Sequence, residues 1–151
     1  MAIHPLNNVL PGTAKRNTPA AIDGGGGVKL TRARYSFVTE GGAISAINLL
    51  PSGFAFPAGA IIEEAFINVL TIPVGAGASI SLGIETATDL LAVTAITASP
   101  WSTTGKKALI PVFTAATMLE TTVARNLVAT ISAAALTAGI FDIYVHWIDP
   151  N

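Results

Sequence analysis

Ile140-Phe141-Asp142-Ile143-Tyr144-Val145-His146-Trp147-Ile148 carries the clearest hydrophobic period in the chain. Phe141, Ile143, Val145 and Trp147 alternate with Asp142, Tyr144 and His146, and this period of two belongs to a strand with one face in a core and the other outside. The stretch before it repeats the pattern. Leu127, Ala129, Ile131 and Ala133 alternate with Val128, Thr130 and Ser132, and Ala138 with Gly139 is read as the turn between the two strands.

The same signal runs back toward the N-terminus. Residues 28–39 alternate loosely, with Tyr35 and Phe37 on one face and Arg32, Arg34 and Ser36 on the other. Residues 43–49 read as a short strand stopped by Pro51 and Gly53. Residues 60–72 are apolar on both faces, Ile61, Ala65, Ile67 and Val69 against Ile62, Phe66, Leu70 and Ile72, which predicts a strand covered by a second layer and by something outside it. Residues 79–85 alternate cleanly, Thr88 and Asp89 are read as the cap of one helical turn through Leu90, Leu91 and Ala92, and a strand resumes over 108–113 after a loop at 100–105. Seven or eight short strands separated by turn residues predict an all-β body, a β-sandwich or jelly roll.

Residues 1–27 differ from this body. They hold Pro5, Pro11, Pro19 and the run Gly24 to Gly27, with no sustained hydrophobic period, and are read as an extended N-terminal arm and glycine hinge ahead of a body spanning 28–151. Such a segment buries too little apolar area to offset the entropy of ordering it alone. Charge divides along the same line. Residues 1–34 carry Lys15, Arg16, Lys29, Arg32 and Arg34 against Asp23, whereas the remainder carries three basic and eight acidic side chains, for a net charge of −1 over 151 residues. A basic arm beside an acidic body favours contact with an acidic neighbour.

The composition asks for a cover other than water. Charged residues make up 11% of the chain and hydrophobic ones 51%, with a mean hydropathy of +0.61, against roughly a quarter charged in ordinary soluble domains. The longest uncharged run, 65–84, has the length of a membrane span, but Pro73, Gly75, Gly77 and Gly83 interrupt it and its second half alternates as a strand does. No secretory signal is visible at the N-terminus. Protein partners are the expected cover. The absence of cysteine removes disulfides, thiolate nucleophiles and thiolate metal sites together.

Chemistry is sparse. His146 shares a strand face with Asp142, but four residues along a strand separate them by roughly 13 Å, beyond hydrogen-bond reach, and Asp149 falls on the opposite face. Glu63 and Glu64 are adjacent and point to opposite sides of a strand, so they do not share a proton or an ion; the inward one needs a partner, for which Arg125 or a basic arm residue is a candidate. No Gly-x-Ser-x-Gly elbow is present. Gly75-Ala76-Gly77 matches only the start of a dinucleotide-binding turn, because Ile80 stands where the third glycine belongs, and is read as a hairpin turn. Gly105-Lys106 lacks the leading glycine and the Ser or Thr of a phosphate-binding loop, leaving Lys106 and Lys107 as solvated or interface residues. The arm's cations lack interleaved aromatics, which argues against direct nucleic-acid binding. Trp101 beside Pro100 is read either as a core plug or as an exposed anchor. The expectation is a chain without catalytic centre, metal or cofactor.

Ala78-Ser79-Ile80-Ser81-Leu82-Gly83-Ile84-Glu85-Thr86, Asp89-Leu90-Leu91-Ala92 and Lys107-Ala108-Leu109-Ile110-Pro111-Val112, closing on Ala129-Thr130-Ile131-Ser132 and Ala135-Leu136-Thr137-Ala138-Gly139-Ile140-Phe141, resemble small capsid decoration, or cement, proteins of tailed bacteriophages. The resemblance covers about the last half of the chain. It implies a β-sandwich or jelly-roll body, commonly a homotrimer, on the outer surface of the capsid where coat subunits meet, with the major capsid protein as partner. The family carries no catalytic or ligand residues to transfer. On this expectation Ile3, Leu6, Val9, Leu10, Lys15, Arg16 and Trp101 are the partner-binding candidates. Two other classes stand beside it: a carbohydrate-binding or adhesive β-sandwich of a phage fibre or tail, with Trp101, Tyr35 and Tyr144 as stacking residues, and a hydrolase on a β-sandwich.

Overall fold

The computed structural model describes residues 27–113 and 117–149. Among them are nine strands and one helical turn: β1 (Val28–Ser36), α1 (Phe37–Glu40), β2 (Ser45–Asn48), β3 (Ile61–Val74), β4 (Ser79–Gly83), β5 (Leu91–Ala95), β6 (Gly105–Leu109), β7 (Leu119–Glu120), β8 (Val128–Ser132) and β9 (Ala138–Ile148). They form two antiparallel sheets. One has the order β1-β9-β3-β6, with β7 also pairing β3; the other has the order β2-β8-β4-β5. The all-β, sandwich-like fold expected from the alternation is what the chain adopts.

The two sheets share one core, and its centre is aromatic. Tyr35 from β1 stacks on Phe141 from β9 at 4.8 Å, Trp101 packs at a tilt on Phe141 with ring centres 4.9 Å apart, and Phe56 meets Trp147 edge-on at 5.5 Å. Ile62, Ile67 and Val69 face Ile80, Leu82 and Ile131 in the same buried cluster. Phe141, Ile143, Val145 and Trp147 all point inward as the alternation of β9 requires.

Six expectations fail for local reasons. In β3 the pairing slips between Ile62 and Glu64, so one residue is left over. This bulge moves Ile62 to the side of Ala65, Ile67 and Val69, all buried, and puts Glu63 and Glu64 both outside instead of on opposite faces. The helical turn expected at Thr88–Ala92 does not form. The Asp89 carboxylate instead accepts the backbone N–H groups of Ile84 at 2.8 Å and Thr86 at 2.6 Å, which ties the loop back on itself and releases Leu91–Ala95 as a strand.

The strand read over 28–39 stops at Ser36. Phe37–Glu40 makes one helical turn, closed by the Gly41 N–H on the Phe37 carbonyl at 2.9 Å, with Gly41 at φ +74°. The strand expected at 108–113 is displaced to Gly105–Leu109, ahead of Pro111. Nor is the Gly75–Gly77 turn a hairpin: it carries the chain from β3 in one sheet to β4 in the other, closed by the Ala78 N–H on the Gly75 carbonyl at 3.0 Å. The turn read at Ala138 and Gly139 sits earlier, over 133–137, and β9 already begins at Ala138.

Candidate functional site

The most organised surface of the chain is the outer face of the five-stranded sheet. Strand order sets it. β9 lies between β1 and β3, and its register places Arg32 beside Tyr144 and Tyr144 beside Phe66, which in turn faces Ala108 on β6. One row away, Arg34 is opposite Asp142, Asp142 opposite Asn68, and Asn68 opposite Lys106. A third row sets Leu30, His146 and Glu64 side by side.

The rows are filled by specific contacts. Phe66 and Tyr144 stack at 4.6 Å with planes 8° apart, and the Arg32 guanidinium lies 5.8 Å from the Tyr144 ring centre. Arg34 donates two hydrogen bonds to Asp142, at 2.7 and 3.0 Å, and Arg32 donates a third at 2.8 Å. Asp142 is only 2% exposed although it faces outward, because the paired arginines stand over it. Hydrogen bonding from Arg34, and then from Arg32, holds its carboxyl below the usual aspartate range against the opposing effect of burial. Two cations on one carboxylate leave one positive charge in excess. His146 meets Glu64 at 3.3 Å, not Asp142, in agreement with the separation expected along one strand.

A second ionic cluster ties loops together at the sandwich end where β3 begins. Arg125 donates to both oxygens of Glu85 at 2.8 Å, and the Thr122 hydroxyl and N–H add bonds at 2.6 and 3.1 Å. The Arg125 hydrogen bonds, then those of Thr122, bring the Glu85 carboxyl down to about 2. Arg125 therefore belongs to Glu85 and not to the Glu63 and Glu64 pair. Beside it a hollow of about 350 Å³ opens between Asn48, Arg125, Asn126 and Thr130. No group of three or more His, Asp or Glu side chains able to hold a metal ion occurs among the described residues, and no helix there is long and apolar enough to cross a membrane.

Of the partner-binding candidates, Ile3, Leu6, Val9, Leu10, Lys15 and Arg16 lie outside the described residues. Trp101 is a core plug. It is 0% exposed against Phe141, so the exposed-anchor alternative is excluded; its indole N–H meets no acceptor among the described residues. Tyr35 is equally buried and donates its hydroxyl to the Gly41 carbonyl at 2.7 Å, while Tyr144 is engaged by Phe66 and Arg32. The three residues proposed to stack on a sugar do not form a platform. Lys107 turns back onto the carbonyls of Thr103 and Thr104, whereas Lys106 is exposed on the outer face.

The exposed apolar side chains gather toward the two ends of the sandwich. Val38, Ile44, Leu70, Ile72 and Val74 lie around the end where β3 finishes, and Leu30, Phe54, Ile110, Val112 and Met118 are toward the other. The Arg32, Arg34 and Asp142 cluster was missed by reading the sequence, although the outward placement of all three was legible in the alternation of their strands.

No protein-family model matches the chain, and no curated protein matches its sequence. Its fold is similar to chains of three solved phage capsids. A chain in the capsid of Helicobacter pylori bacteriophage KHP30 superposes with a TM-score of 0.57 at 19% identity, over 82% of this chain and 89% of that one. In the capsid of cyanophage Pam1 the values are 0.57 and 16%, over 83% and 87%. In the capsid of Ralstonia phage GP4 they are 0.57 and 13%, over 85% and 88%. At these identities the likeness is one of fold, and it extends over more than four-fifths of each chain.

Proposed function

We propose that this chain is a structural protein of a phage virion, a decoration or cement protein that binds the outer surface of the capsid through the major capsid protein and reinforces the coat lattice without catalysing a reaction. The observation that carries the reading is the likeness of fold, over more than four-fifths of the chain, to chains of three phage capsids. The chemistry of the surface supports it. The strong ion pairs are spent within the chain, on Asp142 and Glu85, while apolar side chains such as Phe54, Val38 and Ile110 are left uncovered at the ends. Contact with coat subunits buries such surface, and each added contact raises the free energy needed to open the shell. A homotrimer, as the resemblance implies, brings three sets of these contacts to one lattice position. The adhesive-module reading has lost its support with the burial of Trp101 and Tyr35.

The test is addition of the purified protein to shells assembled without it, with occupancy followed by electron microscopy and shell opening followed by heating. Saturable, regularly spaced density on the outside and a higher opening temperature are expected. Recovery of the protein only with tails or fibres, or binding to saccharides without binding to shells, would overturn the reading.

A further inference from the structure

A groove runs along the free edge of the five-stranded sheet. β1 is the terminal strand there, and among the described residues none pairs with its outer edge. Leu30, 57% exposed, forms one wall of the groove, and Phe54, 68% exposed, stands on the other in the loop that also carries Leu50 and Pro51. Two adjoining hollows of about 270 and 290 Å³ share Thr31, Leu50 and Phe54, and the second is floored by Phe56 and Trp147. Both fall just under the roughly 300 Å³ at which small-molecule sites begin. Hollows of that size beside an unpaired strand edge suit an extended chain that adds main-chain hydrogen bonds to the strand and sinks single apolar side chains beside it.

We infer that this groove receives residues 3–10 of the N-terminal segment of a second copy of this chain. Twenty-six residues precede the first described one, and the first fourteen contain no Asp, Glu, Lys or Arg while carrying Ile3, Leu6, Val9 and Leu10. Charge separates this occupant from the simplest rival. Pairing β1 with β1 of another copy brings Arg32 and Arg34 of both chains together, and like charges across a strand pair are destabilising; an uncharged segment meets no such repulsion.

Connectivity separates it from the same chain's own segment. The residues next to the groove in sequence are Gly24 to Gly27, which have no side chains to fill it. Residues 3–10 of the same chain reach it only by reversing at the glycines and looping out residues 11–23. Those of a second copy enter directly, and the 17 residues between Leu10 and Val28 span up to about 60 Å, several times the radius of gyration, about 14 Å, of a body this size. The inference concerns contact between copies and stands apart from the identity of any coat partner.

The absence of cysteine makes the test clean. Full-length Leu6→Cys and Phe54→Cys proteins are mixed at high concentration and linked with a short thiol cross-linker, beside a control mixture of Leu6→Cys with Thr97→Cys, an exposed loop position on the other sheet. The Leu6→Cys with Phe54→Cys product is expected to form at least tenfold faster than the control product, and Leu30→Asp added to the Phe54→Cys chain is expected to remove that advantage with the circular dichroism spectrum unchanged. Equal rates in the two mixtures overturn the inference. So does a protein carrying both Leu6→Cys and Phe54→Cys that links only within single chains when diluted into a tenfold excess of unsubstituted protein and also at high concentration.

Discussion

The two sheets divide the chain's chemistry unequally. β2, β4, β5 and β8 contain no ionisable side chain, and the rows Ala46, Thr130, Ser81 and Asn48, Val128, Gly83 face away from the shared core, with Ser81 and Gly83 themselves covered. β1, β3, β6 and β9 carry Lys29, Arg32, Arg34, Glu63, Glu64, Lys106, Lys107, Asp142 and His146. A partner is accommodated more readily on the first sheet than on the second. Covering the first face meets only the Glu85 and Arg125 pair at its rim, already matched to each other, whereas covering the other face requires new partners for ions carried by its own strands or their desolvation.

The two faces depend on one shared layer, and removing it gives the largest effect expected. Trp101 touches Phe141, which also carries Tyr35. Trp101→Ala is expected to cost about 3–5 kcal/mol, the range for aromatic truncation in a core, and so to lower the thermal midpoint of the whole body. A loss below about 1 kcal/mol on chemical unfolding would mean that the ring plugs no shared core.

A smaller effect separates the faces. Asp142→Asn leaves Arg32 and Arg34 facing a neutral group that accepts fewer bonds; because both arginines are about half exposed, water screens part of the loss, and about 1–3 kcal/mol is expected. Thr130→Val at the centre of the charge-free face is expected to change stability by less than about 0.5 kcal/mol. Urea unfolding of the two variants side by side measures the contrast, and equal losses would erase it.

What sequence made legible follows the same division. The alternation of Phe141 to Trp147 fixes orientation without any knowledge of neighbours, because side-chain direction along a strand is a local property. The extra residue at Glu63 is not local. It arises where β3 slips against Trp147 and His146 of β9, and nothing between Ile61 and Ala65 announces it. The Asp142 cluster was half legible: alternation put Arg32, Arg34 and Asp142 outside, but partners 108 and 110 positions apart meet only because β1 lies beside β9, and strand order is a tertiary fact. Asp89 illustrates the other failure. A carboxylate after Thr88 is as able to close a turn behind it as to cap a helix ahead of it, and packing of Leu90 into the core selects the turn. Trp101 stayed undecided for want of any neighbour in sequence that reveals Phe141.

The smallest effect concerns acid. Glu85 and Asp142 both have folded pKa values below their ordinary ones, Glu85 at about 2 through Arg125 and Thr122 and Asp142 through Arg34 and Arg32. For a carboxyl whose folded pKa is depressed, the unfolded chain takes up a proton first as pH falls. The stability it contributes is therefore complete above its unfolded value, near 4.5 for glutamate, and is lost as pH drops toward the folded one, near 2. Thermal midpoints are expected to hold level from pH 7 to about 5 if these two carboxyls dominate, and to decline from there to pH 2. Glu85→Gln isolates one cluster. Its protein is expected to start lower at pH 7 and to decline less steeply between pH 4.5 and 2, so that the curves of variant and parent converge at the acid end. The charge-free sheet has no group that titrates in this window, so Thr130→Val is expected to run parallel to the parent throughout. Curves for Glu85→Gln and the parent that stay parallel down to pH 2 would mean that the bonds from Arg125 and Thr122 to Glu85 do not couple protonation to folding.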